Sequence, residues 1–254
     1  MNCVVFVTVR TTSTRLPKKA LLQIKERPLI KILLDRISES RQIKKIVVCT
    51  TNQKSDDVLV KFLQSNKIEV FRGDNVDVLN RLYLAAKKYK AKQFVVVEGD
   101  DIFCDPELID KTCKKLSKTD YEFLTWKNLP FGVSPLGIKT NKLEDLIKNK
   151  KIKNTETGWG RFIIESGLFK VGQLSPDNRK LIRPEIRLSI DYKEDFQLAK
   201  KIIENLPEKF SLQNILNLLD KNPSWLKINE QVKKKYERNF TKKMTKLILK
   251  KENN

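Results

Sequence analysis

The chain opens on a β-branched apolar run, "VVFVTV" at residues 4–9, and segments of the same kind return as "KKIVVCTT" (44–51), "IEVFRG" (68–73) and "QFVVVEGDD" (93–101). Each holds consecutive apolar residues instead of alternating apolar and polar ones. That is the pattern of strands covered on both faces, which occur in parallel sheets. Between them the period changes to that of a helix. Leu29, Ile30, Leu33, Leu34 and Ile37 follow Pro28 at helical spacing. "SDDVLVKFLQSNK" offers Ser55 as a cap, with Asp56 and Asp57 in the first turn. "NVDVLNRLYLAAKKYK" puts Val76, Leu79, Leu82, Tyr83 and Ala86 on one face, and a further helix starts at Pro106. Strand and helix alternate in this way along the first half of the chain, which predicts an α/β fold with a mostly parallel sheet flanked by helices.

The second half is less regular. "YEFLTW" reads as a fifth strand, and "KNLPFGVSPLGIKT" is turn-rich, with Pro130, Gly132, Pro135 and Gly137. A helix is expected around Leu143 to Lys148. "IRLSID" reads as a strand re-entering the sheet and "YKEDFQLAKKIIENL" as the helix leaving it. From Lys227 the chain is dense in lysine and poor in breakers, the mark of a terminal helix that is solvated or frayed. The organisation is thus one domain over 1–226, with an insertion at about 127–185, and a basic helix or tail over 227–254.

At 254 residues the chain can bury a sizeable core without staples. Cys3, Cys49, Cys104 and Cys113 show no paired metal-ligand spacing and the sequence has no histidine, which argues against zinc and for reduced thiols in the cytoplasm. Apolar runs fall far short of the roughly 20 residues of a membrane span. The net charge of +21 favours anionic partners. Its lysines are spread along the chain and its aromatics are scattered, so the charge does not single out nucleic acid. The basic tail allows contact with an anionic membrane surface, against the plainer reading of a solvated helix.

In a parallel sheet, ligands collect beyond the carboxyl ends of the strands. Two segments leave strands at that edge. The first, "VRTTSTRLPKKALLQI" (9–24), is a basic, hydroxyl-rich loop. Its backbone amides can cradle phosphate oxygens, Arg10, Arg15 and Lys19 add charge-assisted hydrogen bonds, and Ser13 or Thr14 adds a hydroxyl. The plain alternative is a solvated loop. The second, "EGDD" (98–101), brings Asp100, a hard oxygen ligand suited to Mg²⁺; Asp101 points to the other side and turns or caps the chain. Asp191, at the end of "IRLSID", repeats the placement of Asp100, so two carboxylates from separate segments could clamp one Mg²⁺ on a triphosphate. Asp195 belongs in the following helical turn, accepting from backbone amides.

These residues bring a family into view. "RTTSTRLPKKALLQI" resembles the signature R-x-x-S-T-R-L-P-G-K-x-L of the cytidylyltransferases that make CMP-activated acidic sugars, the 3-deoxy-manno-octulosonate and acylneuraminate enzymes among them. "IVVCTTN", "VFRGDNVDVLNRLYLAA", "GDDIFCDPELID", "RLSIDYKEDFQLAKKI" and "FSLQNILNLLDKNPSWLKIN" resemble, in the same order, the subgroup known as spore coat polysaccharide biosynthesis protein F. The resemblance implies a Rossmann-like nucleotide-diphospho-sugar transferase fold. It places Arg10, Ser13, Arg15 and Lys19 on the triphosphate and makes Asp100 and Asp191 the magnesium ligands, with Arg15, Lys19 and Asp100 as the catalytic set. Thr50, Thr51 and Asn52 fall where the family contacts the nucleotide, and Arg72, Asp77 and Arg81 where it approaches base, ribose or acceptor. Arg72 and Arg81 pairing with Asp77 as ordinary surface ions is the alternative. The resemblance also implies CTP and a small anionic acceptor as partners, and a homodimer paired through residues 127–185.

Two departures stand out. Lys18 occupies the glycine position of the signature, so the turn is made without a freely positive φ or Lys18 adds a cation to the phosphates. Where many members carry a histidine-containing segment, this chain has "NTETGWGRFIIES", which leaves Glu156, Trp159 and Arg161 to line an acceptor pocket, Trp159 having core or dimer interface as its plain alternative. The implied reaction is transfer of CMP from CTP to an acidic sugar. A polyol phosphate or phosphonate acceptor, a non-catalytic nucleotide-binding protein and a nucleic-acid-binding protein are the competing readings.

Overall fold

The computed structural model describes residues 3–243. The first half follows the expected alternation: β1 (Cys3–Thr8), a small hairpin β2 (Gln23–Ile24) and β3 (Arg27–Pro28), α1 (Leu29–Ile37), β4 (Ile43–Thr51), α2 (Asp57–Ser65), β5 (Glu69–Gly73), α3 (Val78–Lys88), β6 (Gln93–Glu98) and α4 (Pro106–Lys118). The second half adds β7 (Phe123–Trp126), β8 (Leu136–Lys139), α5 (Thr140–Asn149), α6 (Trp159–Glu165), β9 (Val171–Leu174), α7 (Lys193–Glu204), α8 (Leu212–Lys221) and α9 (Glu230–Lys243).

The main sheet has seven strands in the order β5-β4-β1-β6-β8-β7-β9. β5, β4, β1 and β6 run parallel. β8 is antiparallel to β6 and to β7, and β9 is parallel to β7. Stretch 127–185 therefore threads the sheet itself, contributing β8 and β9.

The consecutive apolar residues of the central strands are explained by a core on each side. Val5 and Val7 of β1, Val48 of β4 and Val95 and Val97 of β6 pack with α1, α4, α7 and α8. Phe6, Val47, Cys49, Phe94 and Val96 point the other way, onto α3, α5 and α6. With successive side chains leaving opposite faces, a strand roofed on both sides has no position left for a polar residue. All four cysteines are buried free thiols.

Three local expectations are corrected. "IRLSID" is not a strand: residues 186–191 are extended but form one isolated bridge, Phe131 to Arg187. Their amides are used by loops instead, Leu188 and Ser189 donating to the Phe131 carbonyl at 2.7 and 3.2 Å and Ile190 to the Asp100 carbonyl at 3.0 Å. Ser55 does not cap α2. A 3-10 turn (Lys54–Asp56) precedes that helix, and Asp56 turns inward. Lys18 does take the left-handed conformation, at φ 53° and ψ 26°, although it has a Cβ. Its side chain is exposed.

No helix among the described residues is long and apolar enough to cross a membrane. The expected basic helix is present as α9, but it is seated on the molecule; residues 244–254 of the expected tail lie outside the described residues.

Candidate active site

Because β1, β4, β5 and β6 run parallel, their carboxyl ends open on one edge, and there lies a cavity of about 560 Å³. The loop after β1 supplies Arg10, Ser13, Thr14, Arg15 and Lys19 to it; the end of β6 supplies Glu98, Asp100 and Asp101; Asp191 arrives from the extended segment.

Two anchors hold the loop. The Lys18 amide donates to the Thr11 carbonyl at 3.1 Å, closing the turn. Thr11 is in turn tied to Asp56, its amide donating at 2.7 Å and its hydroxyl at 2.6 Å. Asp56 also accepts from the Thr50 hydroxyl at 2.9 Å, the Thr51 amide at 3.2 Å and the Thr51 hydroxyl, and is fully buried. Burial works against its charge, yet the bonds from Thr11, Thr51 and Thr50 outweigh it and hold the carboxyl below the usual range.

Asp191 is delivered differently. The loop at 128–133 zips against residues 183–190, with the Phe131 amide donating to the Ile186 carbonyl at 2.9 Å. Gly132 permits the approach: at φ +95° a Cβ there would stand 2.3 Å from the Ser189 nitrogen. The Ile190 to Asp100 backbone bond then sets the two carboxylates side by side. Asp195, as expected, accepts from the amides of Asp191 and Tyr192, both at 3.0 Å.

At the centre the charges interlock. Lys19 Nζ donates to Asp100 at 2.5 Å, to Asp191 at 3.0 Å and to the Ile190 carbonyl at 2.8 Å. Arg15 and Arg187 both donate to Asp191, Arg187 at 2.8 Å. Burial opposes the Lys19 charge, but Asp100 and Asp191 more than compensate and keep the ammonium above the usual lysine range. Burial likewise opposes the Asp191 charge, and Lys19, Arg15 and Arg187 overcome it, so the carboxyl stays below its usual range. Glu98 lines the cavity and is exposed to it. Desolvation and the neighbouring Asp100 push its carboxyl up to about 7, although the Trp159 indole donates to it at 2.9 Å. Asp101 is also raised, by burial and by Asp100 and Glu98.

Arg81, which the resemblance places near base, ribose or acceptor, sits at the cavity rather than as a surface ion. It is 3% exposed, reaches the cavity wall, and its Nε and Nη1 have no hydrogen-bond partner. A guanidinium buried without acceptors is costly, and burial together with Arg10 lowers its pKa. An anionic or carbonyl-bearing ligand would supply the missing acceptors.

The other expected site residues divide. Glu156 pairs with Arg10 at the cavity, and Trp159, 4% exposed, lines it while bonded to Glu98. Arg161 pairs with Glu165 along α6 and is not part of the lining. Thr50, Thr51 and Asn52 lie outside the lining, the threonine hydroxyls being committed to Asp56. Arg72 is also outside, donating to the carbonyls of Thr51 and Gln53 at 2.9 and 2.7 Å and to Asp57 at 2.6 Å. Asp77 pairs with neither Arg72 nor Arg81: it caps α3 through the Asn80 amide at 3.1 Å and binds Lys150 and Thr155. Among the lining residues that sequence reasoning missed are Tyr236, Asn239 and Phe240 of α9. Their only signal was the spacing Val232, Tyr236, Phe240 inside a lysine-rich run.

The family model described as "Cytidylyltransferase" matches residues 4–222. An uncharacterized protein of Methanocaldococcus jannaschii is 35% identical over 92% of this chain and 97% of its own length. The spore coat polysaccharide biosynthesis protein SpsF of Bacillus subtilis is 28% identical over 88% of this chain and 96% of its own. Among solved structures, a cytidylyltransferase from Leptospira borgpetersenii superposes with a TM-score of 0.81 at 25% identity, covering 89% of this chain and 97% of that one. The Rossmann-like nucleotide-diphospho-sugar transferase fold is the one observed.

Proposed function

This chain belongs to the cytidylyltransferase family, and on that premise we propose that it moves CMP from CTP to an acidic sugar of the nonulosonate or 3-deoxy-octulosonate type, releasing pyrophosphate, for surface polysaccharide synthesis. Nucleotidyl transfer is the family's chemistry; the acceptor is the new element. It is supported by the loop signature shared with acid-sugar enzymes and by the similarity to SpsF, whose name places that protein in spore coat polysaccharide biosynthesis. The observation that carries the reading is the meeting of Lys19 with Asp100 and Asp191 at one point of the cleft.

That point suits a divalent cation. Two carboxylates already converge on a single positive centre, at 2.5 and 3.0 Å, and Mg²⁺ asks for few protein oxygens when phosphates and water complete its shell. Asp100 and Asp191 would hold it; bound there it would supply Lewis-acid neutralisation of phosphate charge. In the substrate complex Lys19 and Arg15 turn from the carboxylates to the phosphate oxygens and stabilise the charge gathering on the departing pyrophosphate. Arg10 and Arg81 complete the nucleotide grip. The acceptor oxygen attacks the α-phosphorus in line, forming the new O–P bond as the bond to pyrophosphate breaks. Glu98, facing the same cleft, takes the acceptor proton, which answers the absence of histidine. The family reading further makes the protein a cytoplasmic homodimer paired through residues 127–185, checked by light scattering.

The test is pyrophosphate release from each of the four NTPs with a panel of sugar acids and polyol phosphates. Release from CTP with a sugar acid is expected. Absence of release from every pair would sink the reading, and turnover with polyol phosphate alone would replace the acceptor.

A further inference from the structure

The sheet order divides the cleft into two halves. One lies over β5, β4 and β1 and carries Arg10, Ser13, Thr14 and Arg81; the other lies over β8 and β7 and is walled by loop 128–136 and by α9. Arg10 and Arg81 stand in the first half; where the aromatic second half begins, the guanidiniums of Arg15 and Arg187 lie against its rings, Arg15 5.6 Å from Tyr236 and Arg187 4.9 Å from Phe131.

α9 begins beyond residue 222, where the family match ends, yet it is firmly seated. Val232 is buried, Asn239 donates to the Tyr192 hydroxyl at 2.9 Å, and at the helix entry Asn229 donates to the Arg187 carbonyl and to Asp195 at 3.1 and 2.9 Å. Tyr236 stands over the Arg187 guanidinium at 4.5 Å. On one side its ring meets Phe131, with centroids 5.3 Å apart, and on the other it stacks on Phe240 at 5.8 Å and 28°. Phe240 in turn rests on Gly158, where a Cβ would come within 2.9 Å of the ring. A ladder of three rings therefore runs across the second half of the cleft, from loop 128–136 to the start of α6. Its first ring, Phe131, is left 45% exposed.

We infer that this ladder is the acceptor subsite: Phe131 and Phe240, fixed by Tyr236, receive the C–H face of a polyhydroxylated ring, while Asn128, Ser134 and Asn239 on the same walls exchange hydrogen bonds with its hydroxyls. The chemistry is that of sugar recognition. Ring C–H groups carry partial positive charge toward an aromatic face, and the equatorial hydroxyls need polar partners at the rim. A planar base would stack equally well, but Arg81, whose Nε and Nη1 lack acceptors, draws the base end of the nucleotide to the opposite half, with the phosphates at Arg15 and Lys19 between the two. The inference rests on the proposed function for its occupant, and it makes the C-terminal helix, outside the family match, the part that selects the acceptor.

The test compares Phe240→Ala and Phe131→Ala with wild type, using calorimetric titration with CTP and pyrophosphate release across the acceptor panel. Expected are a tenfold or greater rise in acceptor KM, a CTP Kd within twofold of wild type, and recovery of acceptor KM in Phe240→Tyr, which restores the ring. Circular dichroism melting confirms that the variants are folded. A tenfold loss of CTP affinity would overturn the inference by showing that the nucleotide uses the ladder, and so would an unchanged acceptor KM. If wild type binds CTP but turns over none of the panel, the proposed function fails, and the division of the cleft is still judged: unchanged CTP affinity in both variants supports it, and loss of affinity refutes it.

Discussion

Asp56 and Asp191 are both buried carboxylates gripping the same basic loop, and they are satisfied in opposite ways. Around Asp56 the donors are neutral, the amides of Thr11 and Thr51 and the hydroxyls of Thr11, Thr50 and Thr51. Around Asp191 they are the cationic heads of Arg15, Lys19 and Arg187, the first two on flexible stems at the edge of an open cavity. Neutral, fixed donors make a pin. Cations that a phosphate can bid for make an exchangeable site. Both carboxyls are held below their usual range, so protonation state does not tell pin from site; the kind of donor does.

Substitutions can break this contrast. Lys19→Met should lower kcat/KM for CTP by about 10³-fold, the scale for removing a donor aimed at developing charge, while leaving the urea unfolding midpoint nearly unchanged. A large loss of stability in that variant would turn the Asp191 cluster into a second pin. Asp56→Ala should do the reverse, costing about 3 kcal/mol in urea unfolding, because it strands several buried donors at once. A cost below about 1 kcal/mol would mean that the threonines find other acceptors.

Glu98 sharpens the comparison on a pH axis. Its carboxyl is raised from the usual 4.5 to about 7, so the folded protein binds that proton more tightly than the unfolded chain does. The stabilisation from this group is complete below about 4.5 and is lost as pH rises through about 7. Because Trp159 donates to Glu98, tryptophan emission should titrate near neutrality, and Glu98→Gln should flatten that transition. A wild-type profile flat across neutral pH would count against it. The smallest effect concerns the turn between the two carboxylates. Lys18→Gly should raise stability by about 0.5–1 kcal/mol, relieving the left-handed residue against the entropy of an added glycine. CTP turnover should not change, since the Lys18 side chain is outside the lining.

Local signals account for much of what was legible. Arg10, Arg15, Lys19 and Asp100 stand close to strand ends that hydrophobic runs mark directly, and their assembly follows from the parallel sheet. Asp191 reaches the cleft without the strand that was to carry it; the loop at 128–133 and the Ile190 to Asp100 bond do the carrying. Thr50, Thr51 and Arg72 have suitable chemistry at suitable strand ends, but their orientation depends on partners no local pattern reveals, as with Thr11 and Asp56, 45 residues apart. Tyr236 and Phe240 were masked by the lysines around them, since an average over a charged run hides a narrow apolar stripe.

By itself the sequence determined the layered α/β architecture and the basic loop at its ligand edge, because strand and helix periodicities are written residue by residue and burial on two faces leaves few alternatives. Only the tertiary structure decided which polar groups are spent on the protein and which face the cleft, and that a lysine-rich helix closes its far side. Such pairings depend on contacts between segments far apart in the chain, where composition carries no record of who meets whom.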